Sequence, residues 1–316
     1  MPTLYTVLRA QHRHAPSVSE YEGKSAPSHH YPRHTSLYAL RAELLKHFTP
    51  NQQKTFRKSP NRKVIGVGAG LAGLCAAYEL KKLRYDVSVY EARHRVGGRA
   101  FSFRFGNKIV EGGGELIGRN HPLWCGYAQN FGLEFSDVAE YGNSPIRVNG
   151  RTLSFEDANA LLDAMEPHVE RLNHLADSIV DPFEPWTNAN SDWLDTTSLA
   201  EWLDSLDCPT EESENGRDAV EQQLVADNGR SAQEQSLLGV LAMIKGHGVD
   251  RYWKDTESYR CIGGNAKLAH QFKDALGRAV HTGIKVTGIS EQGGVVSVEQ
   301  AQTTEQDERE DIEEGL

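Results

Sequence analysis

The chain is 316 residues long, 38% hydrophobic and 25% charged, with a formal net charge of −10. That length holds one large or two ordinary domains with ample core, and the negative balance argues against nucleic acid as a general partner. Cys75, Cys125, Cys208 and Cys261 lie far apart with no C-x-x-C pair. Reduced buried thiols, a reducing compartment and a cytoplasmic location are therefore expected. No stretch approaches the ~18 apolar residues of a membrane span, and there is no apolar signal-peptide core, so no membrane association is expected.

The charge is uneven: the first 62 residues are basic, the middle is acidic, and the last dozen are almost purely acidic and polar. Residues 1–62 are rich in His, Ser, Pro, Arg and Lys and read as a basic flexible tail, with one short amphipathic helix over Ser36–Phe48. His12, His14, His29, His30 and His34 lack regular ligand spacing and a surrounding core, so no metal is expected. The scarcity of acids before Glu20 leaves a cleaved transit peptide open, but amphipathic periodicity does not support one.

Lys63–Val67 is a short apolar run with β-branched residues, the pattern of a buried parallel strand. Gly68, Gly70 and Gly73 follow as G-x-G-x-x-G. The first suits a tight turn, the second a close backbone approach to a pyrophosphate, and the third close helix–strand packing. Leu71, Leu74, Ala77 and Leu80 keep helical spacing, so a helix points its free N–H groups and positive dipole end at the phosphates. Asp86–Tyr90 returns as a second strand. Glu91 closes it roughly 20 residues beyond the glycines, where a carboxylate accepts ribose hydroxyls. A bare G-x-G-x-x-G is more often a glycine-rich surface loop. Strand, helix and acid together point to a dinucleotide site.

Beyond Arg99 the pattern turns β-rich: Phe101–Phe105 alternates, Gly106-Asn107 signals a hairpin turn, and Lys108–Val110 returns. Gly112, Gly113 and Gly114 in EGGGELIGRNHP imply that something large approaches the backbone, although a plain loop would read similarly. His121-Pro122 opens a helix stopped by Gly132. Ile146–Phe155 reads as a hairpin turning at Asn149-Gly150. From Glu156 to Ile179 the apolar residues recur at helical spacing, with His168 and His174 expected to be solvated and Pro182 and Pro185 ending the run. Ser198 and Glu201 form a capping box, Pro209–Arg217 reads as an exposed connection, and helical material continues to about Lys245. Tyr259–Ile262 is extended, Gly263-Gly264-Asn265 turns, and Lys267–Leu276 is helical. Short strands are expected at Ala279–His281, Lys285–Ile289 and Val295–Val298, the last two joined at Gly293-Gly294. The acidic end from Ala301 has no apolar period and reads as disordered.

In this order the pieces resemble the flavin-containing amine oxidase family, the monoamine, polyamine and L-amino-acid oxidases. The resemblance rests on VGAGLAGL (67–74) with VYEARHRVGGR (89–99), on GGGELIGRNHP (112–122), on YRCIGGNAKL (259–268), and on Lys285–Ile289. NAD-dependent Rossmann enzymes share the glycines but not the R-x-G-G-R type of turn.

The resemblance implies an α/β fold: a Rossmann-like FAD-binding domain (63–145 and 258–300) with β-rich appendages and a mostly helical substrate-domain insert (146–257). Tails at 1–62 and 301–316 flank it. It also implies FAD, with the pyrophosphate at Gly68, Gly70, Leu71, Ala72 and Gly73, the adenosine ribose at Glu91, and Ala92, Arg93 and Gly98 alongside. Arg99 would neutralise phosphate charge near the flavin, Gly113, Gly114, Glu115 and Leu116 would pass beside the isoalloxazine, and the Val286 backbone would contact adenine. The implied reaction oxidises a primary or secondary amine to an imine, with oxygen reduced to hydrogen peroxide.

L-amino-acid oxidases place an arginine in the glycine segment for the substrate carboxylate. Leu116 holds that position here, which favours a small-molecule amine as substrate. Family members continue for another hundred residues or more with the substrate pocket and the lysine near the flavin, so no catalytic residue is identified. A second subunit could supply that half. The competing readings are an inactive or partner-dependent flavin-binding subunit, and another flavin oxidoreductase such as an L-amino-acid oxidase or a carotenoid-desaturase-like enzyme.

Overall fold

The computed structural model describes residues 63–118, 121–138, 147–148 and 151–304. The helix expected at 36–48, the Asn149-Gly150 turn and the acidic residues from 305 onward lie outside the described residues.

In chain order the first elements are β1 (Lys63–Val67), α1 (Leu71–Lys82), β2 (Asp86–Glu91), β3 (Ser102–Phe105), β4 (Lys108–Glu111), α2 (Pro122–Asn130) and β5 (Phe135–Asp137). A short antiparallel pair, β6 (Arg147–Val148) and β7 (Arg151–Thr152), precedes six helices. These are α3 (Phe155–Asp177), α4 (Ser191–Thr196), α5 (Leu199–Asp204), α6 (Glu211–Asn228), α7 (Leu237–Gly246) and α8 (Val249–Asp255). The chain closes with β8 (Tyr259–Cys261), α9 (Lys267–Leu276), β9 (Val280–Thr282), β10 (Ile284–Gln292) and β11 (Val295–Gln302). No helix among the described residues is long and apolar enough to cross a membrane. None of the four cysteines is in a disulfide.

The chain divides into two compact units. One holds residues 122–136, 260–304 and the segment from β1 to Ile117. Its sheet runs β1-β2-β9, all parallel, with Lys63 opposite Asp86 through to Val67 opposite Tyr90. The alternation of β2, with Val87 and Val89 buried, packs the sheet against α1 through Leu74 and Ala77. Helix α9 lies against α1, where Phe272 meets Tyr78, Tyr127 and Phe131 with ring centroids 4.9–5.3 Å apart. Lys81 on α1 donates to the Ala275 and Leu276 carbonyls and so satisfies the C-terminal end of α9.

The other unit is mostly helical and covers the described residues of 137–259, with Gly118 and His121. Its core follows the stripe of α3: Leu162, Met165, Val169, Leu172, Ala176 and Ile179 pack with Leu203, Leu224, Leu241 and Trp253. The helix ends at Asp177, ahead of both expected prolines, and carries Pro167 in its interior. The Ser198–Glu201 capping box forms as expected.

Three local readings change. Residues 211–217 are not a connection but the start of α6: the Thr210 hydroxyl accepts from the Ser213 N–H, and Glu211, Glu212 and Glu214 complement the helix dipole. His168 is 1% exposed rather than solvated, because α6 crosses α3 at that point. Its Nε2 lies 2.9 Å from the Ser213 carbonyl, and burial together with the charges of Arg171 and Arg217 holds its pKa below the ordinary value. The crossing is tight because a Cβ on Gly216 would stand 2.1 Å from the Ala164 carbonyl oxygen. Finally, β11 extends to Gln302, since pairing with β10 carries Ala301 and Gln302 into a strand that the lack of an apolar period there conceals.

Candidate functional site

The glycines of the G-x-G-x-x-G lie at the carboxyl end of β1. Gly68 takes φ +92° as the chain leaves the strand, and its N–H donates to the Tyr90 carbonyl at 2.8 Å. A Cβ on Gly73 would stand 2.1 Å from the Gly68 carbonyl oxygen, so only glycine lets α1 begin this close to the turn. Gly70 is the N-cap of α1 and has nothing within 4 Å of an added Cβ. No side chain caps the helix and its first turn carries no acid, so the N–H groups of Leu71, Ala72 and Gly73 are open to an anion.

Glu91 ends β2 only 7% exposed. One carboxylate oxygen accepts from the Ala69 N–H at 2.7 Å and the other from the Arg93 N–H at 2.9 Å. Those bonds fix the carboxylate against the turn. A carboxylate has about four acceptor sites, so two remain for diol hydroxyls. The burial of an acid with two backbone donors is the built feature here.

The second glycine turn closes on the first. The Gly97 N–H donates to the Ala69 carbonyl at 2.8 Å, and a Cβ on Gly98 would lie 3.3 Å from the Gly70 Cα. Arg95 donates to the Gly98 carbonyl and lies over the Phe101 ring. Arg99 projects outward, and among the described residues its guanidinium has no ion-pair partner. Its backbone carbonyl accepts from the Gly114 N–H at 2.9 Å, and a Cβ on Gly113 would stand 2.0 Å from that carbonyl oxygen. The third glycine segment is thereby locked against the second.

Gly68–Gly73, Glu91–Arg93, Gly98–Arg99 and Gly113–Gly114 are thus brought together. Ala92 is half-buried between Glu91 and Arg93, Leu116 is half-buried, and Glu115 forms an ion pair with Arg260. Val286 stands on β10, which packs beside β2, at a bulge where the pairing with β11 shifts register.

Sequence reasoning missed Gly97 and Asn265. Gly97, at φ +105°, tethers one glycine turn to the other, and the doubled glycine was its only signal. Asn265 is 2% exposed and ties the turn after β8 to the 111–115 segment, through partners about 150 residues away that no local pattern reveals. Among the described residues no group of three or more His, Cys, Asp or Glu could hold a metal.

A protein-family profile described as flavin-containing amine oxidoreductase matches residues 71–309, more than half of the chain. A putative flavin-containing monoamine oxidase of Mycobacterium tuberculosis is 32% identical over 149 residues, 44% of this chain and 32% of that protein. The flavin-containing amine oxidase B of Sus scrofa is 28% identical over 247 residues, 75% of this chain and 46% of its own. Among solved structures, a cyclohexylamine oxidase from Brevibacterium oxydans superposes with a TM-score of 0.64 at 24% identity, over 78% of this chain and 56% of that one. The chain thus spans half or less of the length of these curated relatives.

Proposed function

The chain belongs to the flavin-containing amine oxidoreductase family, and on that premise we propose that it holds FAD in the cradle of residues 68–99 and serves the oxidation of a small amine. The observation that carries the reading is the pairing of an uncapped helix N-terminus with a 7% exposed glutamate one strand away. The first is suited to a pyrophosphate and the second to a ribose diol.

Each residue has a defined task. Gly68 and Gly73 seat α1 against the turn, and Gly70 leaves the pyrophosphate room to reach the backbone. The N–H groups of Leu71, Ala72 and Gly73 face its oxygens, and Arg99 supplies a cation. Glu91, held by Ala69 and Arg93, accepts ribose hydroxyls with its remaining lone pairs beside Ala92, and Gly98 keeps the second turn close. Gly113, Gly114, Glu115 and Leu116 would lie beside the isoalloxazine, and the Val286 backbone would meet the adenine. Redox chemistry would come from the bound flavin, the two-electron carrier between the amine and oxygen.

Leu116, where an arginine would pair with a carboxylate, supports an amine over an amino acid as substrate. The names of the relatives, which include monoamine oxidases, agree with that class. The cysteines, none in a disulfide and two of them buried, fit a reducing compartment such as the cytoplasm.

The substrate-facing half of the site would come from further polypeptide, continuous with this chain or a second subunit. In support, β1 has one sheet neighbour among the described residues, and Val67 at its end is 55% exposed. An open parallel edge of this kind accepts another strand.

The test is to purify the chain, titrate it with FAD, and follow peroxide release with primary amines, secondary amines and L-amino acids. Flavin binding with amine-dependent turnover, alone or on adding a candidate partner, supports the reading. NADH binding without flavin overturns it, and L-amino-acid turnover equal to amine turnover overturns the substrate class.

A further inference from the structure

We propose that Asn265 is a positioning residue that turns the Leu116 N–H into a hydrogen-bond donor for the flavin ring. The inference rests on the FAD reading above and assigns a role to a residue outside the cradle.

Asn265 is 2% exposed and uses its whole side-chain amide. Its Oδ1 accepts from the Cys261 N–H at 2.9 Å, which closes the turn after β8. Its Nδ2 donates to two successive carbonyls, those of Gly114 at 2.9 Å and Glu115 at 2.8 Å. Consecutive carbonyls of an extended segment point to opposite sides. Drawing both to one amide therefore curls the backbone at this point.

The consequence follows from peptide planarity. In a trans peptide the C=O of one residue and the N–H of the next point in opposite directions. With the Gly114 and Glu115 carbonyls turned towards Asn265, the Glu115 and Leu116 N–H groups point away from it. Successive N–H groups directed to one side form a concavity that attracts an electron-rich atom. Among the described residues the Leu116 N–H has no hydrogen-bond partner, although Leu116 is half-buried. A half-buried donor without a partner is costly unless a ligand or solvent supplies the acceptor. The ring nitrogens and carbonyl oxygens of an isoalloxazine are such acceptors, and they become more electron-rich on reduction.

The surrounding bonds hold Asn265 without touching this segment. Its own N–H donates to Glu111 Oε1 at 2.8 Å, and the Ser102 hydroxyl donates to Glu111 Oε2 at 2.6 Å while accepting from the Ala266 N–H at 3.0 Å. Gly264, at φ +99°, leaves no room for a Cβ beside Ser102. The loop is thus clamped by Ser102 and Glu111, and from it Asn265 reaches across to the 114–115 carbonyls.

The experiment uses the 316-residue chain with FAD. Hydrogen exchange at the Leu116 amide, with and without FAD, reads the assigned contact in the unaltered protein, and slower exchange with FAD is expected. Asn265→Asp keeps the acceptor and removes both donors. It should raise the FAD Kd by roughly tenfold to hundredfold, the loss expected for buried hydrogen bonds, and lower the flavin midpoint potential. Ser102→Ala loosens the same loop but leaves the carbonyls held, so it should lower thermal stability with potential and flavin spectrum unchanged. An unchanged Leu116 exchange rate on FAD binding overturns the inference and leaves the FAD reading intact, as does an equal shift of potential in Ser102→Ala and Asn265→Asp. Absence of FAD binding by the unaltered chain overturns both.

Discussion

Gly70 and Gly73 sit three residues apart in the same turn, yet a methyl group should act differently on them. At Gly73 an added Cβ meets the Gly68 carbonyl oxygen at 2.1 Å, a backbone atom that cannot swing aside. Gly73→Ala must push α1 off the strand, an overpacking cost of about 1–3 kcal/mol, and must spoil the pyrophosphate cradle as well. At Gly70 the φ is −70° and nothing lies within 4 Å of a Cβ. Gly70→Ala should therefore change stability by less than about 1 kcal/mol, the lost freedom of the unfolded chain being set against alanine's poorer fit at an N-cap. With FAD, the same methyl would stand between backbone and phosphate. Losing one charge-assisted hydrogen bond, ~1.5–3 kcal/mol, should weaken binding by tenfold or more. The assay pairs urea denaturation of the free chain with FAD titration followed by flavin fluorescence. Gly73→Ala should fail in both, and Gly70→Ala only in the second. A Gly70→Ala protein that binds FAD as tightly as the unaltered chain would refute the close-approach argument.

Other consequences can be checked on the free chain. Gly216→Ala should destabilise the helical unit by about 1–3 kcal/mol, read as a lower denaturation midpoint, because its Cβ would stand 2.1 Å from the Ala164 carbonyl oxygen. His168 has its folded pKa held below its usual value, first by burial, then by Arg171 and Arg217, with the Ser213 carbonyl opposing. The unfolded chain then binds the proton that the folded chain refuses, so stability falls as pH drops below about 6.5 towards the folded pKa. His168→Gln should flatten that part of a stability–pH profile, and an unaltered slope would discount His168 as its source. Burial raises both Cys125 and Cys261 to about 11. A thiol reagent at mild alkaline pH should label the half-exposed Cys75 and Cys208 quickly, and the other two only on unfolding.

The family, the α/β class and the flavin expectation were legible because binding a dinucleotide constrains residue types over a short span. Glycines at a turn, an amphipathic helix and a closing acid lie within 30 residues of one another. Elements with strong periodicity, such as α3 with its buried stripe, were legible for the same reason. What escaped was set by partners distant in sequence. The acidic start of α6 reads as loop because a helix N-terminus and a solvated connection share the same polar residues, and Thr210 with its following glutamates was the available cue. His168 reads as solvated because its burial depends on α6 crossing it 45 residues later. Asn265 follows a double glycine like any turn residue, and only its bonds to Gly114 and Glu115 give it a role.

The most direct test of the central claim is the FAD stoichiometry of the purified 316-residue chain, measured beside its Glu91→Ala variant. The account predicts one flavin per unaltered chain, with binding strongly weakened when Glu91 is removed, since that carboxylate fixes the turn through Ala69 and is proposed to accept the ribose. A chain that takes up no flavin, or binds it equally well without Glu91, would contradict it.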